Sequence, residues 1–247
     1  MTTAETETET SEAASGALKR PPEVRSMFDR ISWRYDLMNT LMTAGRHHDW
    51  RRRAARAAIG AGAARVLDVA TGTGDLALEL AGQGVALVVG ADFSGGMLAS
   101  AAAKRAESGT QAVRLVQADA MRLPFASGSF DAVTIGFGLR NLPDYGGAVA
   151  ELARVLRPGG RLVILEMSPL RQPLLRRGFD LYFAHLVPLV GGLISGDRDA
   201  YGYLPRSVGA FPPPEQLMDL MRQAGLRSVR YESLALGTVA LHIGVHR

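Results

Sequence analysis

Arg65-Val66-Leu67-Asp68-Val69-Ala70-Thr71-Gly72-Thr73-Gly74-Asp75 reads as a parallel strand that breaks sharply into a helix. β-Favouring residues fill its first half, an acid sits inside the strand, and two glycines one residue apart follow. At 72 and 74 the missing Cβ atoms let a ligand approach the backbone, and glycine tolerates the positive φ that so tight a turn demands. The helix after the turn presents unpaired N–H groups. The stretch therefore suits a nucleotide-like ligand.

Outward from this turn the chain alternates strands and helices. The pattern predicts strands near 65–70, 85–91, 113–118, 130–136 and 161–166, and helices near 75–82, 95–107, 144–156, 172–189 and 214–223. Such alternation specifies a doubly wound, Rossmann-like α/β fold with a mostly parallel sheet. Two further extended runs, 227–234 and 238–245, meet at Gly237 like an antiparallel pair. This terminal hairpin departs from the dinucleotide-binding plan, which returns through a helix. Arg157-Pro158-Gly159-Gly160 reads as the turn that delivers the chain into the fifth strand, and Pro213-Pro214-Glu215 as a helix start. Ahead of the sheet, residues 1–22 are a polar tail without apolar periodicity, expected to be disordered. Residues 23–60 form a helical cap, with Val24, Met27, Phe28 and Ile31 at helical spacing and a third helix running from His47 to Ile59. Residues 61–247 are the ligand-binding domain.

Composition removes whole classes of chemistry. The chain of 247 residues has no cysteine, so disulfides, thiolate catalysis and cysteine-held metal clusters are excluded. Only Lys19 and Lys104 are lysines, so no G-K-[ST] phosphate loop exists, and a Schiff base would depend on Lys104, which reads as a solvated helix residue. The N-terminus lacks a basic segment followed by an apolar one, so a cytoplasmic location is expected. The apolar run 183–194 is too short to span a bilayer and is broken by Pro188, Gly191 and Gly192. The net charge is +4, with ten basic against four acidic residues between Lys19 and Arg56. That excess is either a solvated helix face or a surface for anionic partners.

Gly72-Thr73-Gly74-Asp75-Leu76-Ala77 fits the G-x-G-x-x-G/A spacing shared by NAD and S-adenosylmethionine proteins. Asp92, about twenty residues on at a strand end, suits the ribose hydroxyls of either ligand, or alternatively caps the helix near Gly95. Asp119-Ala120, after the third strand, suits an adenine amine and ring nitrogen, or is a plain turn aspartate. Asp68 lies where a carboxylate either orients the turn or reaches a cationic ligand end, and an acid there favours a sulfonium over a pyrophosphate. No tyrosine is followed four residues later by lysine, so the short-chain dehydrogenase pattern is absent. His47-His48-Asp49 invites a metal, but adjacent helical side chains diverge and no metal is expected.

Two longer stretches carry a specific resemblance. Tyr35-Asp36-Leu37-Met38-Asn39-Thr40-Leu41-Met42-Thr43-Ala44-Gly45-Arg46-His47-His48-Asp49-Trp50 and Arg154-Val155-Leu156-Arg157-Pro158-Gly159-Gly160-Arg161-Leu162-Val163-Ile164-Leu165-Glu166-Met167-Ser168 resemble the two signatures of the ubiquinone/menaquinone biosynthesis C-methyltransferases. Gly138-Leu139-Arg140-Asn141, Asp199-Ala200-Tyr201-Gly202-Tyr203-Leu204-Pro205 and Val239-Ala240-Leu241-His242 are similar to further features of that family. Thr43 and Arg157 stand where the family usually has serine and lysine. The resemblance implies transfer of a methyl group from S-adenosylmethionine to a ring carbon of a prenylated quinol, demethylmenaquinol being the expected acceptor. It implies cofactor contacts from Thr73, Asp92, Asp119, Ala120 and, through its backbone, Gly136, beside Asp68, Gly72 and Gly74 of the glycine turn read above. Arg140 and Asn141 are candidates for holding the quinol oxygen, with His47 and Asp36 as a candidate base and its assistant. The expected partners are the quinol, a membrane surface at the inner face of the cell membrane and a second copy of the chain; nucleic acid is not among them. Leu174, Leu175, Phe179, Tyr182, Phe183, Leu186 and Val187 form an apolar stripe, read as core or as a channel for the prenyl tail. Methylation of another phenol or small metabolite, and cofactor binding without turnover, are the alternatives.

Overall fold

The structure, a computed structural model, describes residues 21–60, 62–169 and 198–247. The tail at 1–20, the helix expected at 172–189 and its apolar stripe lie outside the described residues. Three helices come first: α1 (Pro21–Ile31), α2 (Tyr35–Thr43) and α3 (Arg46–Ile59). There follow β1 (Arg65–Val69), α4 (Asp75–Gly82), β2 (Leu87–Asp92), α5 (Gly95–Ser108), β3 (Val113–Gln117), β4 (Phe130–Gly136), α6 (Tyr145–Arg154) and β5 (Leu156–Met167). The described chain ends with α7 (Arg198–Ala210), α8 (Pro214–Gln223), β6 (Leu226–Leu234) and β7 (Val239–His246).

The sheet has seven strands in the order β3-β2-β1-β4-β5-β7-β6. The first five pair in parallel, and β7 inserts antiparallel between β5 and β6. Successive strand residues face opposite sides, and the core divides accordingly. Leu67, Val69, Val133, Ile135, Leu162 and Ile164 pack with α6 and α8 on one face. Val66, Ala132, Val163 and Leu165 pack with Ala54, Ala55 and Ala58 of α3 and Leu76, Ala77 and Leu80 of α4 on the other. Each fully buried Leu or Ile contributes about 1.5–3 kcal/mol from water exclusion, and alanines on α3 let that helix lie close to the sheet.

Two sequence expectations change. The turn expected at 157–160 is part of one strand, since Leu156 already pairs with Phe130 and the register then slips so that Arg161 pairs with Ala132. A Cβ on Gly160 would come within 2.9 Å of Arg157 O and 3.0 Å of Asp131 O, so the bulge needs glycine there. Residues 198–210, outside every element expected from the sequence, are helical, with Pro205 inside the helix.

Strand order reverses between β1 and β4, whose C-terminal ends both turn away sharply. Ala70 (φ 50°) after β1 and Phe137 (φ 57°) after β4 are both left-handed. Gly138 sits against the first of them, and a Cβ there would lie 2.5 Å from Ala70 Cβ. We expect Gly138→Ala to destabilise the fold by about 1–3 kcal/mol through overpacking. A urea-unfolding midpoint equal to that of the parent chain would refute this.

Candidate functional site

A cavity of about 680 Å³ opens at this switch point, a size and place usual for small-molecule sites. The C-terminal ends of β1, β2, β3 and β4 form its floor. Val24, Arg25 and Phe28 of α1 and Tyr35 of α2 form its roof. Of the residues singled out in the sequence, Gly72, Asp92, Asp119, Ala120, Gly136 and Asn141 line it.

Asp92 holds the floor together. Its Oδ2 accepts from Gly72 N–H at 2.8 Å and its Oδ1 from Ser94 N–H at 2.9 Å. Each carboxylate oxygen keeps a second lone pair for a ligand hydroxyl. Ser94, not Asp92, caps α5, accepting from Met97 N–H. Burial raises the Asp92 pKa against the pull of those backbone donors. Asp119 Oδ1 accepts from Met121 N–H at 2.9 Å, the geometry of a turn aspartate, while the residue also faces the cavity. Gly72 (φ 57°) has open space where a Cβ would stand, whereas Gly74 (φ 84°) packs its Cα against Ala101.

Asp68 lies under the turn, 1% exposed, and accepts hydroxyl protons from Thr71 (2.6 Å) and Thr134 (2.7 Å). Burial pushes its carboxyl up to about 6 despite these donors.

Thr73, Asp36 and His47 belong to a polar network beside the cavity and do not line it. Thr73 Oγ1 donates to Asp36 Oδ1 at 2.6 Å and accepts from Lys104 Nζ at 3.0 Å. Lys104, read from the sequence as solvated, also pairs with Asp36 Oδ2 at 2.5 Å and with Asp75. Burial would raise the Asp75 carboxyl, but Arg51 and Lys104 overcome it and hold the group below the usual range. Arg51 Nη1, which can only donate, faces His47 Nδ1, so the neutral ring carries its proton on Nε2 and donates to Thr40 Oγ1 at 3.1 Å. Burial and the neighbouring Arg51 lower His47 to about 4. Both of its nitrogens are engaged inside the protein.

Arg140 is buried behind the cavity wall in the 3-10 turn Leu139–Asn141, and Asn141 faces inward. Arg140 Nη1 donates to Glu166 Oε1 at 2.5 Å and to Phe137 O at 2.7 Å. Burial alone would lower its pKa, but Glu166 more than compensates, and the guanidinium is held charged. Arg140 Nε and Asn141 Oδ1 are buried without a hydrogen-bond partner, leaving one donor and one acceptor unspent at the same turn. Sequence reasoning missed Glu166, Lys104 and also Asp29, whose Oδ1 accepts from Ser94 Oγ at 2.5 Å and Gly96 N–H at 3.0 Å, docking α1 on α5. Glu166 had a signal, an acid in phase with buried Leu162 and Ile164; the other two had none.

The ubiE/COQ5 methyltransferase family matches residues 16–246. The chain belongs to this family. A demethylmenaquinone methyltransferase of Thermus thermophilus is 52% identical over 219 residues, covering 88% of this chain and 99% of that protein. The enzyme of the same name from Deinococcus radiodurans is 46% identical over 225 residues, covering 91% and 92%. Among solved structures, the 4+2 cyclase SpnF superposes with a TM-score of 0.71 at 20% identity, covering 94% of this chain and 98% of its own. At that identity the likeness shows the shared fold alone. The chemistry of this family member rests on its methyltransferase relatives and on the site. Those relatives make S-adenosylmethionine the methyl donor. Among the described residues no cluster of three metal-ligating side chains occurs and no helix is long and apolar enough to cross a membrane.

Two pH effects of opposite sign follow from the buried groups. His47 binds its proton less readily folded than unfolded, so its contribution to stability rises as pH goes from about 4 to 6.5. Asp68 binds its proton more readily when folded, so its contribution is full below pH 3.8 and is lost as pH rises through about 6. Asp68→Asn, which cannot ionise, should abolish that second loss, on the order of 2–3 kcal/mol for a shift of this size. Urea midpoints measured from pH 4 to 8 should show the variant gaining on the parent as pH rises; a constant difference would refute the assignment.

Proposed function

We propose that the chain transfers the methyl group of S-adenosylmethionine to a ring carbon of a prenylated quinol, converting demethylmenaquinol to menaquinol. The observation that carries this reading is the family match over almost the whole chain, together with a cavity lined by Asn141 and backed by the buried, charged Arg140. The residues present suit the donor molecule. Asp92 would accept from its ribose hydroxyls, Asp119 and Ala120 would flank the adenine, and the open face at Gly72 would let its chain lie on the turn. Asp68 and Thr73 then act from beneath, holding the shape of that turn.

S-adenosylmethionine supplies an electrophilic methyl on a sulfonium. Carbon attacks it usefully only in an electron-rich ring, so the acceptor is the reduced quinol with one hydroxyl ionised or nearly so. The ring carbon forms the new C–C bond while the C–S pair remains on sulfur, and the ring proton leaves to water to restore aromaticity. Asn141, in the cavity wall, would meet the quinol hydroxyl, and the charged Arg140 behind it would stabilise the oxygen as it gains charge. Arg140 stays protonated and therefore stabilises charge rather than removing a proton. The cap, residues 23–60, closes over the ring and excludes water, and its network of Asp36, Lys104 and Asp75 fixes it on the glycine turn. His47, with both nitrogens engaged, supports that clamp.

A long prenyl tail partitions into a bilayer, so this reading places the enzyme against a membrane surface. Leu37 (52%) and Leu41 (49%), one turn apart on α2, are exposed apolar side chains of the cap.

Incubation with labelled S-adenosylmethionine and a reduced, short-tailed demethylmenaquinone should give the methylated quinol; cofactor binding without transfer to any quinol would sink the reading. Asp92→Ala should weaken S-adenosylhomocysteine binding about tenfold or more by calorimetry, consistent with loss of a charge-assisted hydrogen-bonding group. Asn141→Ala should lower kcat with that binding intact.

A further inference from the structure

Glu166 stands where strand alternation calls for an apolar side chain. Leu162 and Ile164, in phase with it on β5, belong to the core facing α6, and Glu166 is itself 1% exposed. A buried carboxylate persists only with donors in reach, and this one has three. Oε1 accepts from Arg140 Nη1 (2.5 Å) and Met167 N–H (2.8 Å), and Oε2 accepts from Arg140 N–H (3.2 Å). One carboxylate thus grips both the guanidinium and the backbone of Arg140, and with them the turn whose next residue lines the cavity. Tyr35 of α2, Tyr145 of α6 and Tyr203 of α7 face the pair, with Arg206 of α7 beyond Tyr203.

The pairing has an electrostatic consequence. Arg140 stands behind the cavity wall as half of a neutral pair, not as a free cation, so its attraction for an anionic oxygen in the cavity is reduced while its geometry is fixed. We propose that Glu166 is a positioning residue for methyl transfer that acts through Arg140, fixing the turn that carries Asn141 in the cavity wall and setting, through the charge left on the guanidinium behind that wall, how strongly the acceptor oxygen is held ionised. This rests on the acceptor reading given above.

The test uses the full chain with 1-naphthol as a non-reacting phenol and S-adenosylhomocysteine in place of the methyl donor. The bound probe's ionisation is followed by naphtholate absorption. Glu166→Gln keeps the volume and removes the charge. It should lower the apparent pKa of the bound probe by on the order of one unit, and lower kcat on the quinol about tenfold or more, with KM for S-adenosylmethionine within about twofold. Glu166→Asp keeps the charge but not the reach, and should lower kcat without moving the probe. Because a lone buried guanidinium threatens folding, Arg140→Gln and the double variant Arg140→Gln/Glu166→Gln are measured too; a residue acting through Arg140 makes their kcat values equal. An unshifted probe with parental kcat in Glu166→Gln overturns the proposal, as does a double variant slower than Arg140→Gln alone. If the parent enzyme methylates no quinol, the acceptor reading fails instead, and the probe titration still decides whether Glu166 acts through Arg140.

Discussion

The carboxylate of Asp92 is the joint on which the site depends. By accepting from Gly72 N–H on one side and Ser94 N–H on the other, it ties the turn after β1 to the end of β2 and to the first turn of α5. A tight glycine turn leaves its backbone N–H groups without strand partners, and a buried N–H left unpaired is costly. Asp92 satisfies one of them and still presents its remaining lone pairs to the cavity. Structural support and a place in the cavity wall therefore fall on one side chain.

A second set of carboxylates fastens the helical cap to this frame. Asp29 of α1 accepts from Ser94 Oγ and Gly96 N–H, and Asp36 of α2 accepts from Thr73 and pairs with Lys104. Both contacts end on the elements that Asp92 organises, so the roof of the cavity is registered to its floor by polar bonds. Apolar packing of Met27, Ile31 and Met38 against Met97 and Tyr203 adds contact without fixing direction. The division suits a cover, since hydrogen bonds are directional and apolar contacts are not.

The fold was largely legible because its signals are local. The β1 stretch, the acid ending β2 and the terminal hairpin each announce themselves in composition and period, and the structure has strands and helices where they are expected from β1 to β5 and from α8 to β7. The misreadings are also local in origin. Pro158-Gly159-Gly160 has the composition of a turn, yet pairing of Leu156 and Arg161 with β4 on either side keeps it within β5. Residues 198–210 have no expected element, yet they form α7 with Pro205 inside it. Within the site, Gly72, Asp92, Asp119 and Asn141 could be placed because strand ends gather at one edge of a parallel sheet. Asp36 and His47 could be singled out but not oriented, because what a cap residue faces depends on how the cap docks.

The sequence by itself determined the strand order signals, the glycine turn, the absence of thiol and phosphate-loop chemistry, and the signatures that the family match confirms. Those features are encoded within a few neighbouring residues, where backbone sterics and hydrophobic period act directly. The tertiary structure alone decided that Lys104 joins Asp36 to Asp75 and that His47 spends both nitrogens on Thr40 and Arg51. It also decided that Arg140 meets the site already paired with Glu166. Each of these pairs joins different elements or depends on burial that no local pattern specifies, and the charge a buried group carries is set by such neighbours.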